Sequence, residues 1–327
     1  MGQFEETLVT QGVADTQRVR VVILNYNQPD MTARCVSYVI AQSYTTLDIV
    51  VVDNASTVEN YEALQRSLPE HVTLVRNSAN SGYAAGNNLG ARLSGTIPPS
   101  TYTMILNGDA FLRDTDTIKK LVDGLRKDPD RVAITPLVNT GVIELAPEQQ
   151  IQVCRAASYA GFLVAYSWWL RKMPVLKSIA DRHFYKERMP YVLDREYDCE
   201  TLHGCCFVIR TDFLESIDYF DEGTFLYFEE MILGRQIKDR GKGCCLLTSV
   251  VVDHMGGAAT RKRTLKGELK VQMELIKSQL YYCRKYLHVG MAARGLLVVV
   301  RTIGFIGKEI YHAVIGSRRA ERGMSGG

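Results

Sequence analysis

"VRVVILNYN" (residues 19–27) and "LDIVVVDNAST" (residues 47–57) decide the fold. Each is a near-continuous run of β-branched and aliphatic residues that ends on a polar group, Asn25 in one and Asp53 in the other. A strand buried on both faces shows no polar alternation, so such runs read as parallel strands of a covered sheet. Pro29-Asp30 and a helical pattern over residues 31–42 follow the first run, and turn residues follow the second.

The same layout continues outward. "YEALQRSL" reads as a short helix and "VTLVRN" as a third strand. "NSGYAAGNNLGARLSG" opens with turn chemistry and runs into a helix of small residues. "TYTMILNGDAFL" (residues 101–112) reads as one fourth strand, and "DTDTIKKLVDGLRKDP" as an amphipathic helix capped by Asp114 or Asp116. "RVAITPLV" is a further strand. Strand and helix alternating this regularly predict a doubly wound α/β sheet. Ligands of such sheets lie beyond the carboxyl ends of the strands, where Asn25, Asp53, Asn77 and Asp109 stand. The pattern weakens between residues 140 and 200, where "YAGFLVAYSWWLRKMP" is aromatic and apolar. Regular structure returns with the strand "TLHGCCFVIR", a helix from near Glu229 to Gly241, and a last strand in "CCLLTSVVVDHMGG".

Composition is that of a globular protein: 327 residues, 46% hydrophobic and 23% charged. The net charge of +3 is unevenly spread. Residues 261–327 hold 14 Lys and Arg against 4 Asp and Glu, so a basic tail follows an acidic body and predicts an anionic surface as the tail's partner. None of the eight cysteines forms a CxxC pair, which gives a zinc ribbon no support and fits small core residues of a reducing compartment. The N-terminus lacks an apolar signal region, and the longest strongly apolar stretch, residues 295–300, is too short to span a bilayer. A cytoplasmic location is therefore expected.

In this order over residues 19–254, "VVILNYN", "VVDNAST", "RNSANSGYAAGNNLG", "ILNGDAFL", "HGCCFVIR", "FDEGTFLYFEEMILGRQIKDRG" and "VVVDHMGG" resemble the family 2 glycosyltransferases of the GT-A fold. The resemblance is to the branch containing bacterial rhamnosyl- and galactofuranosyl-transferases in particular. It implies a Rossmann-like, mostly parallel central sheet with flanking helices. The expected organisation is an N-terminal extension (1–18), a GT-A domain (19–260) with a nucleotide-binding half (19–138) and an acceptor and catalytic half (139–260), and a basic amphipathic helical region (261–327). The implied reaction is inverting transfer of a sugar from a nucleotide diphosphate donor to an acceptor hydroxyl, with Mg²⁺ or Mn²⁺. The branch favours TDP-rhamnose, then UDP-linked sugars, and a saccharide or lipid-linked acceptor in surface polysaccharide assembly.

Displacing a nucleoside diphosphate from a sugar carbon requires charge neutralisation on the phosphates and a base for the acceptor proton. By resemblance Asp109 is a metal ligand, in a motif whose first acid is replaced (Asn107-Gly108-Asp109), and His254 is the second ligand. Read alone, "NGD" is a strand-ending turn. Asp253 is either an orienter of His254 or a turn former. By resemblance Asp53 takes the place of the acid that binds base and ribose; read alone, "DNAST" is a strand-to-helix turn with Asp53 or Ser56 as cap. Gly82 and Gly86 let backbone approach a ligand, and Asn80 and Asn87 offer polar edges. Glu230 is assigned as the base with Glu229 as runner-up, although two acids at a helix N-terminus are also explained by the macrodipole. Arg235 is expected to steady these acids or the phosphates, and His203-Gly204 to line the sugar pocket. Trp168 and Trp169 either stack on an acceptor or bury themselves.

Two amphipathic helices are expected in the tail, over residues 266–286 and 290–316, with Arg294, Arg301 and Lys308 recurring every seven residues. A basic stripe beside an apolar one predicts docking on the inner face of the cell membrane, with packing on the core or on a second subunit as the other reading. No nucleic-acid partner is expected. A sugar-phosphate nucleotidyltransferase would carry a glycine-rich basic loop after the first strand, which "LNYNQPD" is not. A non-catalytic relative that binds nucleotide sugar is the remaining rival.

Overall fold

The computed structural model describes residues 17–94, 98–141, 145–256 and 264–324. Most of the expected extension, residues 1–16, lies outside the described residues. So does the boundary between core and tail, within residues 257–263.

The first half alternates as expected: β1 (Val19–Asn25), α1 (Pro29–Ile40), β2 (Leu47–Asp53), α2 (Val58–Ser67), β3 (Thr73–Arg76), α3 (Tyr83–Ala91) and β4 (Tyr102–Asn107). Pro29 opens α1, where its missing N–H leaves no bond unmade, and the Thr57 hydroxyl caps α2 by accepting from the Asn60 amide at 3.4 Å. The predicted fourth strand is in fact two. Gly108 breaks it, and β5 (Ala110–Leu112) leaves β4 for the far edge of the sheet. A Cβ at Gly108 would sit 2.6 Å from Thr32 Oγ1 and 3.2 Å from the Leu24 carbonyl, so the chain crosses the end of β1 at a distance only glycine allows. Asp116 occupies the N-cap of α4 (Thr117–Arg126) but its side chain makes no capping bond. The rest is β6 (Arg131–Asn139), α5 (Tyr159–Ala165), α6 (Pro174–His183), β7 (Glu196–Cys199), β8 (Cys206–Arg210), α7 (Thr211–Ser216), α8 (Glu229–Asp239), β9 (Gly243–His254), α9 (Leu265–Lys285) and α10 (Met291–Met324).

The sheet runs β3-β2-β1-β4-β8-β6-β9-β5, with β7 also on β9. Six of these strands share one direction, while β5, β7 and β8 oppose them. Alternate residues of the buried strands feed two layers. Val21, Ile23 and Val51 pack on α1 and α4, and Val22, Val52 and Ile105 on α3, α7 and α8. A third cluster joins Phe162 of α5 and Phe228 to Tyr282 of α9 and Leu297 of α10, which holds the tail helices against the core. All eight cysteines are free, and seven are buried.

Two members of the expected basic stripe of α10, Arg301 and Lys308, turn toward the body of the protein, a correction to the expected outward stripe. Arg301 is 8% exposed beneath α5, and Lys308 pairs with Glu268 of α9 at 3.5 Å. The outward face of α10 is instead apolar: Leu296, Val299, Ile303, Ile306 and Ile310 are each half-exposed at alternating three- and four-residue spacing. Trp168 and Trp169 pin this helix, the former by donating to the Gly304 carbonyl at 2.6 Å and the latter by packing on Gly304.

Gly82 has φ +87°, and a Cβ there would run into the Phe225 carbonyl. Gly141 also has positive φ (+62°) but open space around it. Gly82→Ala is expected to lose about 1–3 kcal/mol more than Gly141→Ala in chemical denaturation. Equal losses would remove the close approach as the reason for this glycine.

Candidate active site

The turn after β4 delivers Asp109, and the antiparallel pairing of β5 with β9 sets Ala110 opposite His254. As a result His254 Nε2 lies 3.2 Å from Asp109 Oδ1, with both side chains mostly buried. Burial pulls the imidazole pKa down, but hydrogen bonds to Asp109 and Cys205 outweigh it and raise the value to about 10. Once a cation displaces the imidazole proton, one hard carboxylate oxygen beside one imidazole nitrogen is a donor set that fits Mg²⁺ or Mn²⁺, with room left for phosphate oxygens and water. No third His, Cys, Asp or Glu completes a metal cluster among the described residues. Asp253 points to the other side of the strand, where it accepts from Arg113 Nε at 2.9 Å and Asn139 Nδ2 at 2.8 Å. It therefore fixes β9 to its neighbours and does not orient His254.

Between this pair and the acids runs the turn that enters β8. The Asn107 amide donates to the Cys205 carbonyl at 2.9 Å, which ties the turn to the end of β4. His203 Nδ1 is 3.3 Å from Cys205 Sγ, and its ring centre is 6.3 Å from that of His254. Burial, with His254 adding to it, lowers the His203 pKa to about 4, so this ring is neutral. The Gly204 carbonyl accepts from the Tyr83 hydroxyl, and a Cβ on Gly204 would lie 3.6 Å from Glu230 Oε2. Backbone at 203–205 thus lines both groups.

The acids open α8 after two successive left-handed residues, Tyr227 (φ 72°) and Phe228 (φ 74°). Such backbone in large side chains concentrates at functional sites. Glu229 is buried, bonded to Thr224 Oγ1 at 3.4 Å; burial and then the neighbouring Glu230 push its pKa up to about 8. Burial also raises Glu230, which is reached by solvent and faces Gly204. Arg235 does not reach these acids. Five residues past Glu230 it has turned to another side of the helix, where it pairs with Asp239 at 2.8 Å.

The residues assigned to the nucleotide lie at the strand ends, but most are turned inward. Asn25 donates to Asp53 Oδ1 at 2.8 Å and accepts from Thr32 Oγ1 at 2.8 Å. Asp53 is fully buried, taking the Ser56 amide at 3.1 Å with Arg76 Nε at 3.7 Å. Gly86 packs on β1, where a Cβ would meet Leu24 Cδ1 at 2.6 Å, and Asn87 bonds back to the Tyr83 carbonyl at 3.0 Å. Asn80 and Asn107 keep part of their surface, while Gly108 is enclosed.

Three participants escaped the sequence reading. Asn54 donates to Asn80 Oδ1 and to the Gly82 carbonyl, both at 3.0 Å, and Tyr83 donates its amide to the Phe225 carbonyl at 2.9 Å. The "NSGYAAGNNLG" segment therefore braces the end of β2 against the aromatic run that carries the acids. Tyr83, the one aromatic residue in that run, was the available signal. Cys205, the third, gave no signal, because its role depends on the turn that brings it to His254.

A family model, "Glycosyl transferase family 2", matches residues 20–217. The chain belongs to that family. It is accordingly a glycosyltransferase by family. Solved structures agree in fold. One is the mannosyltransferase PcManGT from Pyrobaculum calidifontis in complex with GDP-Man and Mn²⁺, at 17% identity and TM-score 0.56, covering 92% of this chain and 75% of that one. Another is GalNAc-T7 with UDP, GalNAc and Mn²⁺, at 16% identity and TM-score 0.53, covering 92% of this family 2 chain and 58% of that one. No curated protein sequence matches the chain.

The acid pair makes a stability prediction. Because the Glu229 pKa rises from its ordinary 4.5 to about 8 on folding, the folded state binds the extra proton. The associated stability is full below pH 4.5 and drains as pH climbs through 8. Carbon-13 titration of labelled Glu should place a midpoint near pH 8, and Glu230→Gln should lower it by removing the like charge. A midpoint unmoved by that substitution would show that the two carboxyls do not interact.

Proposed function

We propose that this family 2 protein is a metal-dependent inverting glycosyltransferase acting on a nucleotide diphosphate sugar. The observation that carries the reading is the placement of a carboxylate–imidazole pair and a separate acid around one turn. Asp109 and His254 stand on one side of residues 203–205, and Glu230 stands on the other. The two structural relatives are complexes with Mn²⁺ and a nucleotide or nucleotide sugar, which supports a divalent cation and a nucleotide-linked donor.

Asp109 and His254 would hold the divalent cation. When bound, that cation supplies Lewis-acid stabilisation of the leaving diphosphate. Glu230 takes the proton of the acceptor hydroxyl as the oxygen forms its bond to the sugar carbon. The bond from that carbon to the phosphate oxygen breaks in the same displacement, and its electron pair leaves with the nucleoside diphosphate. Glu229, neutral at physiological pH, holds its proton and spares Glu230 a second adjacent charge. His203, kept neutral, avoids adding a competing cation beside His254. The inward polar knot of Asn25 and Asp53 sets the floor of the donor side, and the partly exposed Asn80 and Asn107 offer polar edges to the nucleotide.

TDP-rhamnose is the favoured donor, with UDP-linked sugars next, and the acceptor is a saccharide or lipid-linked saccharide of surface polysaccharide assembly. The enzyme would act at the cytoplasmic face of the membrane, docked through the outward apolar row of α10 in place of the basic stripe. No described helix is long and apolar enough to cross a membrane.

Release of nucleoside diphosphate from a donor panel with Mn²⁺ tests the activity. Glu230→Gln should lower turnover by about 10²- to 10⁴-fold, and turnover equal to wild type would dismiss Glu230 as base. Asp109→Asn and His254→Ala should each weaken Mn²⁺ binding in the presence of UDP or TDP, read by the free-Mn²⁺ resonance signal. Unchanged metal binding in both would end the cation assignment. For docking, the paired substitution Ile303→Glu and Ile306→Glu should abolish partition of the full chain into anionic liposomes. Retained partition would rule out this face.

A further inference from the structure

On the flank of the catalytic half a cavity of about 440 Å³ opens between the segment following α5 and the helices α9 and α10. Its lining is cationic on balance. Arg301 reaches it from α10 with Arg171 and Lys308, against the single acid Glu268, a net charge of +2 among these four. Arg301 is more than nine-tenths buried, and its Nε finds no acceptor among the described residues. The Ser167 hydroxyl, 2% exposed on the same lining, is likewise without a partner. A buried guanidinium without an anion is a destabilised arrangement that a bound anion relieves. Val271 and Leu275 of α9 and Phe305 of α10 add apolar lining, and Val271 is exposed at the surface. The space is that of about fifteen water molecules, too large for a bare phosphate.

We propose that this cavity binds a phosphate-headed amphiphile, with the phosphate on Arg301 and Ser167 and the hydrocarbon along Val271, Leu275 and Phe305. A phosphate monoester carries about −1.5 to −2 at neutral pH, which matches the lining charge. The Arg301 fork gives the bidentate geometry that phosphate prefers. Tyr166, which lines the cavity, packs its ring 5.4 Å from that of Phe228, the residue before Glu229. The site is therefore one aromatic layer from the acids. It rests on the transferase reading only for its meaning, as a place for the anionic end of an acceptor.

Binding is measured apart from sugar transfer. The chain has two tryptophans, Trp168 on the cavity lining and Trp169 packed beside it on Gly304, so intrinsic tryptophan emission reports this region alone. Farnesyl phosphate, below its aggregation concentration, should change the emission of the full chain saturably and raise its melting temperature. Farnesol and inorganic phosphate should each bind at least tenfold more weakly. Arg301→Met should weaken farnesyl phosphate at least tenfold and leave farnesol unchanged. Lys308→Gln, at a half-buried position, should weaken it several-fold and serves if Arg301→Met misfolds. Equal binding of farnesol and farnesyl phosphate, equal binding of inorganic phosphate, or wild-type affinity in the variant that folds would each overturn the site. Binding that holds while no donor in the panel turns over would remove the transferase reading and leave the cavity's ligand in place.

Discussion

The hydrogen bond from the Asn107 amide to the Cys205 carbonyl is the tie on which the site depends. It joins the end of β4 to the turn entering β8, a strand that runs against its neighbours on both sides. An antiparallel strand inserted in a mostly parallel sheet begins where its neighbours end. Its entry turn therefore lies at the carboxyl edge, among the groups that parallel strands deliver there. His203, Gly204 and Cys205 gain their positions from this reversal alone. Without it the Asp109–His254 pair and the acids of α8 would have no common wall.

Electrostatics then divides the site in two. On one side a carboxylate and an imidazole attract each other, and the His254 pKa rises despite burial. On the other, two carboxyls share a buried helix start, and burial raises both. The first arrangement suits a cation and anionic phosphates, and the second suits proton transfer near neutral pH. Both are held by rigid parts. Tyr83 bonds the Gly204 carbonyl from α3, and the α3 amide at Tyr83 bonds the Phe225 carbonyl. The small-residue helix thus sets the distance between the turn and the acids.

The tail helices obey the same packing logic from outside. Phe162, Tyr282 and Leu297 form one apolar cluster with Phe228, so α9 and α10 brace the segment that carries the acids. The two tryptophans hold α10 at Gly304, which brings Arg301 inward under α5. Charge that the sequence displays as a surface stripe becomes lining of an interior space, and the solvent side is left to aliphatic residues.

The strand runs at 19–27 and 47–57, and the polar residues that end them, were legible because buried parallel strands have only one composition available to them. That Asp109 and His254 come together was anticipated by resemblance, and the opening of a helix at Glu229 and Glu230 was legible in the sequence. The break at Gly108, the inward turn of Asn25, Asp53 and Asn87, and the diversion of Arg235 to Asp239 were not. Local sequence determines period and propensity, and so decided which residues are strand, helix or strand end. Tertiary structure decided which way each polar group faces, because a side chain 2.8 Å from a partner about thirty residues away, as Asn25 is from Asp53, answers to contacts that no local window contains.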